Sequence, residues 1–173
     1  LDVPALRQAV RDRPGVIWII DESFIDYADG TESLLRDAAL LPNLVVLRSL
    51  TKFYGIAGIR CGFSVCAAPL AERLRQSLPA WNVNAFAAAA ARAVLEQPPS
   101  WADGERSLNR ERREDLFRRL SALPGAAVLP SGANFLLFRL AGAPSGLAAR
   151  LLKNHGIALR DCSNYPGLEN GGR

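Results

Sequence analysis

Lys52 stands five residues after Leu47, the last residue of the short β-branched apolar run Leu44-Val-Val-Leu47. A run of this kind reads as a buried strand, and ligands of open α/β sheets bind outside the carboxyl ends of such strands. Ser49, Thr51 and Lys52 are therefore expected in that crevice. Desolvation or a nearby cation lowers the pKa of a lysine and makes it a nucleophile towards an aldehyde. Ser49 and Arg60 lie three positions before and eight after Lys52, so a hydroxyl and a guanidinium can both reach a phosphate tethered near the lysine. Gly55 and Gly58 let the connecting loop fold back tightly. A second run, Val16-Ile-Trp-Ile-Ile20, ends at Asp21, whose carboxylate can pair with a pyridinium nitrogen and keep it protonated. Spacing alone leaves other roles open: a helix cap or surface turn for Asp21, a solvated loop position for Lys52.

The elements that must hold these residues follow the same patterns. Ser33 to Leu41 reads as a crossover helix between the two strands, Cys61 to Ala67 as a third strand, and Pro69 to Leu78 as a helix with proline in its first turn. Asn84 to Gln97 is Ala-rich and helical, and Ser100 to Leu123 is a long charged helix after the break at Pro98-Pro99. Strands are expected at Ala126 to Leu129, Asn134 to Leu140 and Ile157 to Arg160, with a helix at Ser145 to Asn154 capped by Gly156. The chain thus reads as α/β first and as a smaller α+β domain later. Its first residues look like the middle of a helix and its last, Glu169 to Arg173, like a Gly-rich turn, which suggests an internal piece of a longer polypeptide.

Composition narrows the class. With 49% hydrophobic and 22% charged residues the chain is expected to fold around a sizeable core. No stretch approaches the ~20 apolar residues of a membrane span, and the start lacks a signal peptide's pattern, so a cytoplasmic setting is the default. Cys61, Cys66 and Cys162 suit buried free thiols, not a disulfide framework or a zinc site. The net charge of +4 comes from arginines interleaved with Glu111, Glu114 and Asp115 on a solvated helix face, so no nucleic-acid partner is expected.

The motifs Asp21-Glu-Ser-Phe24, Ser49-Leu-Thr-Lys52 and Gly58-Ile-Arg60-Cys-Gly62 resemble the signature of the class I/II aminotransferases of fold type I. Leu47 to Gly55, Trp81-Asn-Val-Asn84, Ala133 to Leu137 and Arg160-Asp-Cys-Ser-Asn-Tyr-Pro-Gly-Leu168 narrow the resemblance to the branch of histidinol-phosphate aminotransferases and threonine-phosphate decarboxylases. The last stretch favours the decarboxylases. The resemblance implies part of a pyridoxal-phosphate-binding large domain, mainly parallel sheet with helices, at 1–80, connecting helices at 81–112 and a small, truncated C-terminal domain at 113–173. It implies pyridoxal 5'-phosphate as cofactor, with Lys52 forming the Schiff base, Asp21 on the pyridine nitrogen, and Ser49 and Arg60 on the phosphate. Phe24 stands where many aminotransferases have a tyrosine that bonds the cofactor's phenolic oxygen.

Arg160 matches a position near the substrate's anionic groups, and Asn134 approaches the substrate side of the ring; a surface arginine at a strand end and an asparagine satisfying its own turn are the alternatives. Trp81 to Asn84 resembles a loop near the dimer interface, although Trp81 could simply anchor a helix. His155, in the last turn before Gly156, suits a helix-end interaction. The implied activity is decarboxylation of L-threonine O-3-phosphate, a small phosphorylated amino acid, by a homodimer without nucleic-acid or membrane partners. Transamination, as in histidinol-phosphate aminotransferase, and a non-catalytic cofactor-sensing module are the competing expectations. The arm, the phosphate-binding segment and the ring-stacking aromatic expected in this family would precede this stretch, so residues 1–173 alone are expected to be inactive.

Overall fold

The structure, a computed structural model, describes residues 2–168. The chain divides into two compact units, Leu1–Asn109 and Arg110–Arg173. The turn expected at Glu169 to Arg173 lies outside the described residues.

The first unit opens with α1, Val3–Asp12. This helix begins at its own cap: Asp2 Oδ1 accepts the Ala5 N–H at 3.0 Å, with Pro4 in the first turn. The described start is therefore a capped helix end, contrary to the expectation of a helix interior. Strand β1 is Trp18–Asp21, α2 is Leu35–Leu40 and β2 is Leu44–Ser49. β1 and β2 pair in parallel, with Asp21 opposite Leu47, and α2 lies in the connection between them. β3, Gly62–Cys66, returns antiparallel to β2, with Ser49 opposite Gly62. The sheet order is β1-β2-β3.

One face of this sheet carries the core. Val3, Val10, Leu34, Ala38, Leu44 and Val46 form a buried cluster, and Trp18, Ile20 and Val65 pack against it. The side-chain period of two decides which strand residues take part. Ile19, on the other face of β1, is 64% exposed. Full burial of this strand, expected from its unbroken apolar run, is thus not seen: half of the run faces outward. Asn43, buried before β2, donates from Nδ2 to the carbonyls of Val10, Arg13 and Val16 at 3.0 Å each. The first two bonds satisfy carbonyls at the end of α1 that have no partner within the helix, and the third holds the loop before β1.

The unit continues with α3, Ala68–Ser77, and α4, Ala85–Leu95, the latter capped by Asn84 Oδ1 accepting from the Ala87 N–H at 2.8 Å. Helix α5 spans Pro99–Ser121. In its later half Asp115, half-buried, pairs with the exposed Arg118 and Arg119 at 3.1 and 2.7 Å. In the second unit β4, Ala126–Leu129, and β5, Leu137–Leu140, form an antiparallel pair, followed by α6, Leu147–His155. Arg113 donates to the carbonyls of Gly132 and Ala133 at 3.1 Å and so holds the loop before β5. Gly156 closes α6 in the left-handed conformation, with His155 in the last turn.

Two expectations of strand fail here. β5 begins at Leu137, not Asn134, and Ile157 to Arg160 forms no strand because it meets no pairing edge among the described residues. No helix among the described residues is long and apolar enough to cross a membrane. No group of three or more His, Cys, Asp or Glu residues among them could hold a metal ion.

Candidate active site

The parallel pairing of β1 and β2 sets Asp21 and Ser49 at the ends of adjacent strands, since the backbone N–H of Glu22 still reaches Leu47 O at 2.9 Å. Asp21 is exposed, and its Oδ1 accepts both the Ser23 N–H at 2.8 Å and the Ser23 hydroxyl at 2.5 Å. The surface-turn role is therefore real, yet it uses one carboxylate oxygen and leaves Oδ2 unbonded among the described residues. Ser49 Oγ and Thr51 Oγ1 lie 2.7 Å apart, and the Thr51 N–H donates to Ser49 Oγ at 3.3 Å. Two hydroxyls are thus linked immediately before the lysine.

Lys52 is exposed on a turn closed by Gly55, whose N–H donates to Lys52 O at 3.2 Å. Gly55 has φ +66°, a conformation that a Cβ disfavours. The Lys52 ammonium lies 5.9 Å from the centroid of the Phe24 ring, within the range of a cation–π contact. Phe53, next to the lysine, is buried and meets Tyr27 edge-on at 5.0 Å and Trp101 edge-on at 5.7 Å. Tyr54 stacks on Trp101 at 5.4 Å. The side chains on either side of Lys52, Thr51 and Phe53, are anchored inward, which turns the lysine outward.

Arg60 returns to the same strand end because β3 pairs with β2 and the Leu50 N–H donates to Cys61 O at 3.1 Å. Its backbone is left-handed, φ 60° and ψ 59°, which costs a non-glycine residue about 1–2 kcal/mol. Gly58, expected to supply the loop's special conformation, has no positive φ; Arg60 has it instead. The guanidinium donates to Ala57 O at 2.9 Å, one use of a group with several N–H donors. Gly62 is required for a different reason. A Cβ there would come within 2.6 Å of Arg48 O, so only glycine lets β3 approach the strand that carries Ser49.

A charged network supports this edge from behind. Glu22, 7% exposed, accepts from the Leu34 N–H at 2.8 Å and the Ser33 hydroxyl at 2.6 Å. Arg48 lies 3.5 Å from Glu22 and also pairs with Asp26. A polar cleft lined in part by Asp26, Thr31, Ser33, Arg48 and Arg106 adjoins it, but Arg48 and Arg106 are already paired with acids of this chain. Glu22, Arg48, Tyr27 and Trp101 went unassigned in the sequence; the one available signal was an acid directly beside Asp21 at a strand end.

Asp21 and Ser49 thus end adjacent strands of the first unit, and Lys52 and Arg60 lie in the loop that leads from Ser49 to β3. Asn134 and Arg160 belong to the second. Asn134 is exposed in the loop before β5. Arg160, also exposed, heads a turn in which its Nη2 donates to Asn164 Oδ1 at 3.3 Å and its guanidinium carbon lies 5.3 Å from the Tyr165 ring centre. Within that turn the Ser163 N–H donates to Asp161 Oδ1 at 2.9 Å and holds the Asp161 pKa below the usual carboxylate value, with the Ser163 hydroxyl adding to the effect. Trp81 is 96% exposed and anchors no helix of the described chain. The three cysteines are free, as expected, but half-buried and not buried.

The family model for aminotransferase class I and II matches residues 2–173. This chain belongs to that family. Members of the family use pyridoxal phosphate. The chain is 38% identical to the threonine-phosphate decarboxylase of Salmonella typhimurium, over 95% of its own length and 46% of the relative's. It is 34% identical to the histidinol-phosphate aminotransferase of Nitratidesulfovibrio vulgaris, over 88% of the chain and 40% of the relative. The solved structure of L-threonine-O-3-phosphate decarboxylase from Porphyromonas gingivalis is similar, with a TM-score of 0.86 at 28% identity, covering 98% of this chain and 52% of that one. The chain therefore spans about half the length of the family relatives it matches, and the family fold places its sheet within an α/β large domain.

Proposed function

We propose that the protein is a pyridoxal-phosphate-dependent decarboxylase acting on L-threonine O-3-phosphate to give (R)-1-aminopropan-2-yl phosphate and carbon dioxide. The observation that carries the choice of reaction is the 38% identity to the Salmonella decarboxylase over 95% of this chain. The cofactor is supported by the donor set at the sheet edge. An outward amine, an open carboxylate oxygen on the neighbouring strand, linked hydroxyls and a guanidinium fit an aldehyde, a ring nitrogen and a phosphate in turn.

In this reading Lys52 would hold the cofactor through its amine, Asp21 would face its ring nitrogen, and Ser49 and Arg60 would hold its phosphate. When bound, the cofactor supplies an electron sink for the pair left on the substrate's α carbon as the carboxylate departs. Lys52 Nζ, freed when the substrate's amine takes its place, would then return a proton to that carbon. Arg160 binds the substrate's anionic group, its fork held by Asn164 and Tyr165, and Asn134 contacts the substrate side of the site. Residues 1–80 serve as part of the cofactor domain, 81–112 as connecting helices and 113–173 as part of the small domain, within a homodimer.

A second reading, transfer of the amino group to a keto acid, is favoured by the 34% identity to a histidinol-phosphate aminotransferase. The first bond broken separates the two. Full-length protein given threonine phosphate is expected to release carbon dioxide without an amino acceptor. Acceptor-dependent keto-acid formation with no release would replace the first reading by the second. Absence of a borohydride-fixed adduct on Lys52 would remove both.

A further inference from the structure

In the role proposed for it the Lys52 side chain must swing, and its backbone carbonyl is held by two donors. The Lys52 carbonyl accepts the Gly55 N–H from within the turn at 3.2 Å and the Tyr27 hydroxyl from outside it at 2.8 Å. The second bond crosses 25 residues of sequence and comes from the short 3₁₀ turn Ile25–Tyr27, which follows directly on the segment carrying Asp21 and Phe24. The ring of Tyr27 packs against Phe24 at 6.5 Å and Phe53 at 5.0 Å, so the phenol is fixed before it donates.

We infer that Tyr27 is a positioning residue for Lys52: its hydroxyl pins the peptide from which the lysine side chain pivots, and so ties the Lys52 turn to the segment that carries Asp21. The geometry has two consequences. Nζ keeps a defined origin when it leaves one partner for another, and the lysine and the carboxylate move as one body. Burial pushes the Tyr27 pKa above the usual tyrosine value, with Glu105 and Asp26 acting in the same direction, so the phenol stays a donor through neutral pH. The Asp26 carboxylate pairs with Arg48, and its backbone carbonyl accepts from Arg106 at 3.5 Å.

The inference rests on the role proposed for Lys52, and Tyr27→Phe tests it, because the variant keeps the ring and removes one hydroxyl. In full-length protein loaded with pyridoxal phosphate, the variant is expected to retain the cofactor. Its kcat should fall roughly tenfold, short of the ~100-fold that an ångström of misplacement can cost, with KM little changed. The pH midpoint of the visible Schiff-base band should also move, a readout that general loosening of the fold does not shift. A band and kcat identical to those of the unaltered protein would overturn the inference and leave the role of Lys52 standing. A fall in kcat that tracks a lower Tm, with an unmoved pH midpoint, would assign Tyr27 to folding alone and also overturn it. Absence of any borohydride-reducible band in the unaltered protein would instead remove the cofactor reading on which both depend.

Discussion

Glu22 accepts the backbone N–H of Leu34 at 2.8 Å, and this bond ties the end of β1 to the start of α2. The same carboxylate takes the Ser33 hydroxyl and lies 3.5 Å from Arg48. Replacing it by alanine leaves a buried N–H unsatisfied and strips Arg48 of one of its two acids. Glu22→Ala is expected to cost about 2–4 kcal/mol, and Glu22→Gln less, because the amide oxygen can still accept from Leu34. Denaturant unfolding should show a lower midpoint at unchanged slope.

Gly62 and Gly55 are required for different reasons, and alanine separates them. Gly62→Ala drives a Cβ to 2.6 Å from Arg48 O, a backbone atom that cannot rotate away, at a cost of about 1–3 kcal/mol. Gly55→Ala meets no atom but must hold φ +66°, at about 1 kcal/mol. Amide exchange at Ser49 and Leu50, beside the strained pairing, should quicken in the Gly62 variant and not in the Gly55 variant.

The turn around Arg160 should respond to acid. Asp161 has its folded pKa depressed by the Ser163 N–H first and the Ser163 hydroxyl second. A depressed carboxylate contributes stability above its unfolded pKa of about 3.9, and that contribution is lost as pH falls through the folded value. Ser163→Ala keeps the backbone bond and removes the hydroxyl. The Asp161 midpoint, followed by NMR, is expected to rise towards the ordinary value without reaching it.

Phe24 lies 5.9 Å from Lys52 Nζ and has no hydroxyl to offer a phenolic oxygen. Phe24→Tyr would supply one. A hydrogen bond given to that oxygen weakens its hold on the Schiff-base proton, so the pH midpoint of the visible band should fall. A midpoint unchanged in a cofactor-loaded variant would mean that the ring does not face that oxygen.

The sequence by itself marked the candidate residues, the family and most of the frame. Two apolar runs had to end at Asp21 and before Ser49, because their β-branched residues have few other stable placements. The first helix after Pro69, the Ala-rich helix and the long charged helix were legible from proline position, propensity and charge. What local pattern could not hold was anything decided by a distant partner. Burial of β1 on one face only, the antiparallel return of β3, and the missing strand at Ile157 to Arg160 depend on which edges and faces are covered. The left-handed backbone fell to Arg60 instead of Gly58 because the ladder between β2 and β3 fixes where the chain must turn. Likewise Lys52 could be named from spacing, but not the hydroxyl that holds its carbonyl. Tyr27 is 25 residues away, and only the packing of its ring between Phe24 and Phe53 brings the two together.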